Sequence, residues 1–283
     1  MPAKRNKKLP GIGTLPNYNA PALQKGLDIL EHLASSATPL SMTQLAEQMD
    51  RSVSQIYRMI LVLCDRGYVQ ARDHGFTVTS KAFCLALDRP EVDALLTIAE
   101  PEMQRLARAT RRTCYLSAAH DKVVIVVAVQ PWLGKSGLDV RVGMRQPLIN
   151  TASGQVHFGF QSDAGKEKWR QALAETEDQA TLAQFVKDAD RAAALGQAER
   201  THRHMDCLTE ISSPVTLRKD QVFALSLLYL HRPGSDDFTL CRTELSQAAW
   251  QITQALRVQQ AWPDRSGHQS QSVEMDGRNL IAG

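Results

Sequence analysis

The sequence predicts an α+β chain of two domains, on three observations. Between Pro21 and about residue 82 the apolar pattern runs helix, helix, tight turn, helix, hairpin. Residues 88–111 form one polar amphipathic stretch that reads as a connecting helix. From Thr113 onward, alternating apolar segments take over, separated by charged helical ones. At 283 residues the chain is long enough to bury a core in each half.

The leading "MPAKRNKKLPGIGTLPN" carries Lys4, Arg5, Lys7 and Lys8, is rich in Pro and Gly, and lacks periodicity. Residues 1–20 therefore read as a flexible basic arm, either a solvated tail or a tether adding salt-sensitive phosphate contacts. Pro21 suits a first helical turn, and Leu23, Leu27, Leu30 and Leu33–Ala34 follow at helical spacing. After "SSATPL", the segment "SMTQLAEQM" reads as a short helix with Thr43 as its N-cap and Leu45, Ala46 and Met49 inward. "DRS" is a tight connection to a third helix with Val53, Ile56, Ile60, Leu63 and Cys64 as its buried stripe. Arg66–Gly67 suits its end, a cation in the last turn followed by a left-handed cap. "YVQARDHGFTVTS" alternates on either side of Asp73-His74-Gly75, a β-hairpin pattern. That order over residues 21–82 is a winged helix-turn-helix.

The connecting helix at 88–111 is expected to break or kink near Pro101. "TCYLSAAH" and "KVVIVVAVQ" flank His120-Asp121 as a hairpin, and "GLDVRVGM" supplies a third strand. "NTASGQVHFGF" is a loop opening a helix, with two charged helices next, near Lys166–Ala174 and Thr181–Gln197. "LTEISSPVTL" and "VFALSLLYL" pair across Arg218-Lys219-Asp220, and "DDFTLCRTELSQAAWQITQALRV" closes the unit as an amphipathic helix. Antiparallel strands flanked by helices make residues 112–260 an α+β domain of the GAF-like sensory kind. Residues 261–283 have the composition of a disordered tail.

Net charge is +3, all of it in residues 1–80, which hold nine Lys/Arg against six Asp/Glu. Without the arm the first domain is nearly neutral, so charge alone does not indicate nucleic acid. No apolar run approaches the roughly 20 residues needed to cross a bilayer; the longest, "VVIVVAV", is strand-sized. The N-terminus lacks an apolar signal core, so a cytoplasmic protein with no membrane partner is expected. Cys64, Cys84, Cys114, Cys207 and Cys241 are scattered and odd in number, which fits reduced thiols. "GFQSDAGK" has one intervening residue too many for a phosphate-binding loop, and Glu167 stands where Ser or Thr should follow. "HRHMDC" offers His202, His204 and Cys207, short of the four ligands of a structural zinc site, so no metal is expected. No Gly-x-Ser-x-Gly elbow and no acid–base carboxylate pair is present, and Cys114 and Cys207 read as small buried apolar residues. No catalytic residue is therefore assigned.

The start of the third helix is polar where its rear is apolar: Arg51, Ser52, Ser54, Gln55, Tyr57 and Arg58. The N-terminal residues of a helix in the major groove reach the base edges; Gln suits adenine, Arg suits guanine, and Ser or Tyr suits phosphate or a base edge. Ser52 also suits a plain N-cap, and Arg58 a solvated surface cation. Arg72 and His74 on the wing are placed for a flanking phosphate or the minor groove, or are simply surface charge. In the second domain, Asn150, Thr151, Ala152, Ser153 and Gly154 open a helix, where free N–H groups and the positive dipole end suit a carboxylate, or where Thr151 or Ser153 simply caps the helix.

"LQKGLDILEHLA", "PLSMTQLAEQM", "SVSQIYRMILVLCDRGYV", "FTVTS", "DVRVGMRQPLINTASGQ" and "ISSPV...FALSL" together resemble the IclR family of bacterial transcriptional regulators, from Ala22 to about Val258. The resemblance implies a one-component regulator without a cofactor, repressor or activator of a catabolic operon. It implies a homodimer or dimer of dimers that binds double-stranded operator DNA and senses a small organic acid in its C-terminal domain. It places Ser226 toward the ligand. Two departures matter: Leu228 stands where small-acid-binding members carry a second serine, and Glu210 where they carry a cysteine. These changes speak against glyoxylate or pyruvate and for a larger ligand, an aromatic or other organic acid; Glu210 also suits a cationic or hydroxylated compound. Two other classes fit the bare residues: an enzyme with an accessory winged helix, and a protein-interaction module.

Overall fold

The computed structural model describes residues 20–261, apart from 88, 121, 133–139, 204, 219–220, 232–233 and 235–236; for 83, 86, 87, 218, 260 and 261 only the backbone is described. The basic arm and the tail beyond Ala261 lie outside these residues, as do Asp121, Gly137–Asp139 of the expected third strand and the Lys219-Asp220 turn. The chain divides into two compact units between Val92 and Asp93.

In the first unit, α1 (Pro21–Ser35), α2 (Met42–Gln48) and α3 (Val53–Asp65) pack around Ile29, Leu33, Leu40, Leu45, Ala46, Ile56, Ile60 and Val69. Pro21 sits in the first turn of α1, where its missing N–H costs nothing. Leu23 and Leu27 are exposed and Ile29 is buried, so the expected stripe holds only in the second half of α1, where the small core begins. The cap of α2 is Ser41 rather than Thr43. Its Oγ accepts from Gln44 N at 3.2 Å while Gln44 Oε1 accepts from Ser41 N at 2.8 Å. That reciprocal pair needs a polar residue three positions on, which Thr43 lacks. Val53 is 46% exposed, a second departure from the expected stripe: at the first turn of α3 it precedes the part of the helix that meets the core. Gly67 (φ +73°) closes α3 in the left-handed conformation. The wing is β1 (Val69–Arg72) paired antiparallel with β2 (Gly75–Val78), Arg72 opposite Gly75. Phe76 bridges to Leu40 through two backbone hydrogen bonds of 2.8 and 3.1 Å, fixing the wing to the α1–α2 connection. A short α4 (Lys81–Leu87), not foreseen, follows.

α5 (Pro90–Thr110) runs helical straight through Pro101, so the expected break is absent; the ring removes one N–H donor without ending the helix. The second unit is a six-stranded sheet in the order β5-β4-β3-β8-β7-β6, every pairing antiparallel. Its strands are β3 (Cys114–His120), β4 (Val123–Gln130), β5 (Arg145–Pro147), β6 (Ala198–His202), β7 (Met205–Arg218) and β8 (Gln221–Leu230). The third strand begins at Arg145 rather than within "GLDVRVGM"; Val142–Gly143 form a turn instead. One face carries α5 and α9 (Phe238–Ala261), with Leu106, Leu245 and Ile252 against Leu116, Ile211 and Leu227. The other carries α6 (Ala152–Gly159), α7 (Asp163–Leu173) and α8 (Gln179–Leu195), centred on Phe158 and Phe185, whose rings meet edge to face at 5.4 Å. Strand alternation assigns the faces: Leu116, Ile211 and Leu227 belong to the first core, so Tyr115, Glu210, Ser212 and Ser226 point toward α6. Among the described residues no helix is long and apolar enough to cross a membrane.

Candidate nucleic-acid interface and ligand site

Ile56 and Ile60 anchor the rear of α3 in the first core, which turns its opposite side outward. Arg51, Ser52, Ser54, Gln55, Tyr57 and Arg58 are all exposed, as are Arg72 and His74 on the wing. Ser52 holds the N-cap position, yet its side chain does not cap; its Oγ lies 3.2 Å from Ser54 Oγ. The first N–H groups of α3 thus lack a side-chain partner, the arrangement that receives a phosphate at a helix start. Gln55 and Arg58 have no side-chain partner among the described residues. Arg51 stands apart from the others, on the rim of a hollow lined by Asp28 and Glu31 of α1. The outer side of α3 also shows Val53, Tyr57 and Leu61, spaced four apart and each about half exposed. Val53 was missed as a surface residue because aliphatic spacing alone cannot say which side of a first turn is covered.

In the second unit, Thr151 caps α6, its Oγ1 accepting from Gly154 N at 2.9 Å. The next two donors, Ala152 N and Ser153 N, are already taken: they donate to Glu210 Oε2 and Oε1 at 2.8 and 3.1 Å. Glu210 Oε1 also accepts from Tyr115 OH at 2.8 Å and Ser212 Oγ at 3.2 Å, and Ser212 Oγ lies 2.6 Å from Ser226 Oγ. The chain therefore sets its own carboxylate where a carboxylate ligand was expected to sit. Burial, the neighbouring Glu210 charge and the hydrogen bond to it hold the Tyr115 phenol well above its ordinary pKa, so it stays the donor. Ser153 Oγ is buried beside that phenol without a directed hydrogen bond.

Thr151, Ala152, Ser153, Gly154, Glu210 and Ser226 thus gather in one buried network. Leu228 is half-buried and lies opposite Glu210 across β7–β8; Asn150 is exposed. Sequence reading missed Tyr115, Ser117, Ser212 and His157. The alternation in "CYLSAAH" was the available signal for the first two. At Gly154 an added Cβ would overlap the Leu148 carbonyl. Gly154→Ala is expected to lower stability by about 1–3 kcal/mol, read as a fall in Tm; an unchanged Tm would contradict the close approach.

His157 is buried on α6, with Nδ1 3.1 Å from Val222 O and Nε2 3.3 Å from Ser117 Oγ. Burial pulls its pKa from 6.5 to about 4, against the opposing pull of the Val222 and Ser117 contacts, so the ring is neutral and Nδ1–H donates to Val222 O. Between 6.5 and about 4 the unfolded chain holds the extra proton and the folded chain does not. Stability is therefore full above this window and falls as pH drops through it, by about 3 kcal/mol in total. Thermal melts of wild type and His157→Gln across the window should show the steeper acid loss in wild type; equal slopes would contradict the assignment. Among the described residues no group of three or more His, Cys, Asp or Glu is placed to hold a metal, and His204 lies outside them.

Comparison with known proteins matches both units. Residues 22–73 fit the IclR helix-turn-helix domain, and residues 90–253 fit the bacterial transcriptional regulator IclR C-terminal domain. The transcriptional regulator KdgR of Dickeya chrysanthemi is 24% identical over 149 residues, 52% of this chain and 48% of that protein. The transcriptional repressor IclR of Escherichia coli K12 is 26% identical over 132 residues, 44% of this chain and 48% of that protein. The chain thus spans about half the length of the curated relatives it matches. An IclR homolog from Microbacterium hydrocarbonoxydans, solved in complex with 4-hydroxybenzoate, shares the fold at a TM-score of 0.68 and 17% identity, over 84% of this chain and 99% of that one. A putative IclR regulator from Silicibacter sp. TM1040 shares it at 0.72 and 15%, over 83% and 96%. With each unit matched by the corresponding family model, and the two models together spanning most of its length, the chain belongs to the IclR family of bacterial transcriptional regulators.

Proposed function

We propose that this chain is a ligand-responsive DNA-binding regulator of a catabolic operon, repressor or activator, working as a homodimer or dimer of dimers. The observation that carries the reading is the outward polar start of α3, with Gln55 and Arg58 unpaired among the described residues and the Ser52 side chain not spent on the cap. In the major groove, Gln55 bonds an adenine edge and Arg58 a guanine, while Val53 meets a thymine methyl. Ser52, Ser54 and the free N–H groups of α3 hold phosphates; Arg72 and His74 follow the flanking backbone.

The second unit senses a small organic acid, aromatic or other. Ligand shifts the population of dimer geometries only by its differential affinity for them. α5, which contains the point at which the two units divide, is the proposed transmitter. A footprint on the DNA upstream of the protein's own gene, repeated over a salt series and with a panel of organic acids, tests this. A protected, salt-sensitive site that changes with one acid supports the reading. Absence of any protected site would refute it.

A further inference from the structure

Next to the Glu210 network, and separate from it, the second unit holds a cavity of about 590 Å³, within the size range of small-molecule sites. It is lined by arginines from three elements: Arg191 of α8, Arg200 and Arg203 of β6 and its turn, and Arg242 of α9. Of these, Arg242 pairs with Glu199 at 2.5 Å. Arg191, Arg200 and Arg203 have no ion-pair or hydrogen-bond partner among the described residues. Asp188, the other acid on the wall, is engaged by Gln184 at 2.8 Å. An independent observation points to a ligand. Gln155 of α6 lines the same cavity, is only 3% exposed, and its carboxamide has no partner among the described residues. The amide atoms are not sealed from solvent, so they open onto the cavity and are available to a polar group that enters it. The cavity contains Asn150 but none of Ala152, Ser153, Glu210, Ser226 or Leu228.

We propose that this arginine-lined cavity binds a multiply charged small anion, a dicarboxylate or phosphorylated compound, held by Arg191, Arg200 and Arg203 and oriented by Gln155. The α6 donors are closed to an anion by the chain's own carboxylate, so the charge of the ligand is met one strand away, where Arg200 lies opposite Glu210 across β6–β7. Unpaired guanidiniums lining one cavity repel each other, and a dianion relieves that repulsion where a monoanion leaves part of it. The proposal rests on reading the second unit as the sensing domain, but its test does not use DNA.

The experiment is a thermal-shift and calorimetric titration of the full chain with malonate, inorganic phosphate and acetate, each against chloride at equal ionic strength. Saturable stabilisation by malonate or phosphate, and much less by acetate, is expected. Arg200→Gln/Arg203→Gln should weaken it by about tenfold or more per guanidinium removed, and Gln155→Leu should weaken it too. Arg108→Gln, an exposed arginine of α5 away from the cavity, should leave it unchanged. No saturable stabilisation of wild type, an equal effect in the double variant, or acetate matching malonate would each overturn the proposal. Footprinting of the same preparation forms a separate arm: protein that binds malonate but protects no DNA sinks the regulator reading and leaves the cavity standing.

Discussion

Glu210→Ala should lower the stability of the second unit by roughly 3–5 kcal/mol, and added acetate should restore part of it. The carboxylate is 7% exposed and accepts four hydrogen bonds, from Ala152 N, Ser153 N, Tyr115 OH and Ser212 Oγ. Truncation leaves these buried donors facing an empty space, and an unmade buried hydrogen bond costs more than a made one contributes. The atoms removed on going to alanine correspond to an acetate ion, so acetate should refill the seat and raise the Tm of the variant but not of wild type. Glu210→Gln should fall between, since its amide oxygen still accepts while its NH₂ group faces donors. A variant as stable as wild type, or acetate acting equally on both, would contradict the view that Glu210 is the built-in occupant of the α6 terminus.

The second large effect concerns DNA. Gln55→Ala combined with Arg58→Ala should cost roughly 2–6 kcal/mol of operator affinity, about 1–3 for each side chain removed from a base edge, with Tm close to wild type. Both side chains are exposed and unpartnered among the described residues, so removing them takes nothing from the core that Ile56 and Ile60 build. Discrimination between operator and random DNA should collapse with affinity, because base contacts specify while phosphate contacts only position. An electrophoretic shift series on both DNAs reads this directly; unchanged operator affinity would remove these residues from the interface.

Local patterns were legible in the sequence where they repeat with a fixed period. The α3 stripe at Ile56 and Ile60, the hairpin at Asp73-His74 and the β7–β8 pair came from spacing alone. The α2 cap was within reach of the sequence too, since Ser41 and Gln44 stand three apart, yet the expected cap, Thr43, is not the one used. β6 was not: "AERTH" is a short edge strand with mostly polar side chains, which by composition matches a loop. Val53, Leu23 and Leu27 failed for the reason that periodicity locates a face but not the extent of the core behind it. The candidate ligand site was half legible. The cap and donors of α6 follow from "NTASG", whereas the acceptor that fills them comes from Glu210, 57 and 58 residues away, through a strand pairing that no local window contains.

Entry of the hydrophilic face at the start of α3 into the major groove is the central claim, and methylation protection tests it most directly. Dimethyl sulfate attacks guanine N7 from that groove, so protection on the bound operator reports the contact itself. Wild type should shield specific guanines in each half-site, and Arg58→Ala should leave those same guanines open at protein concentrations that still saturate the DNA. Guanines methylated freely under bound wild type, or shielded identically by the variant, would contradict it.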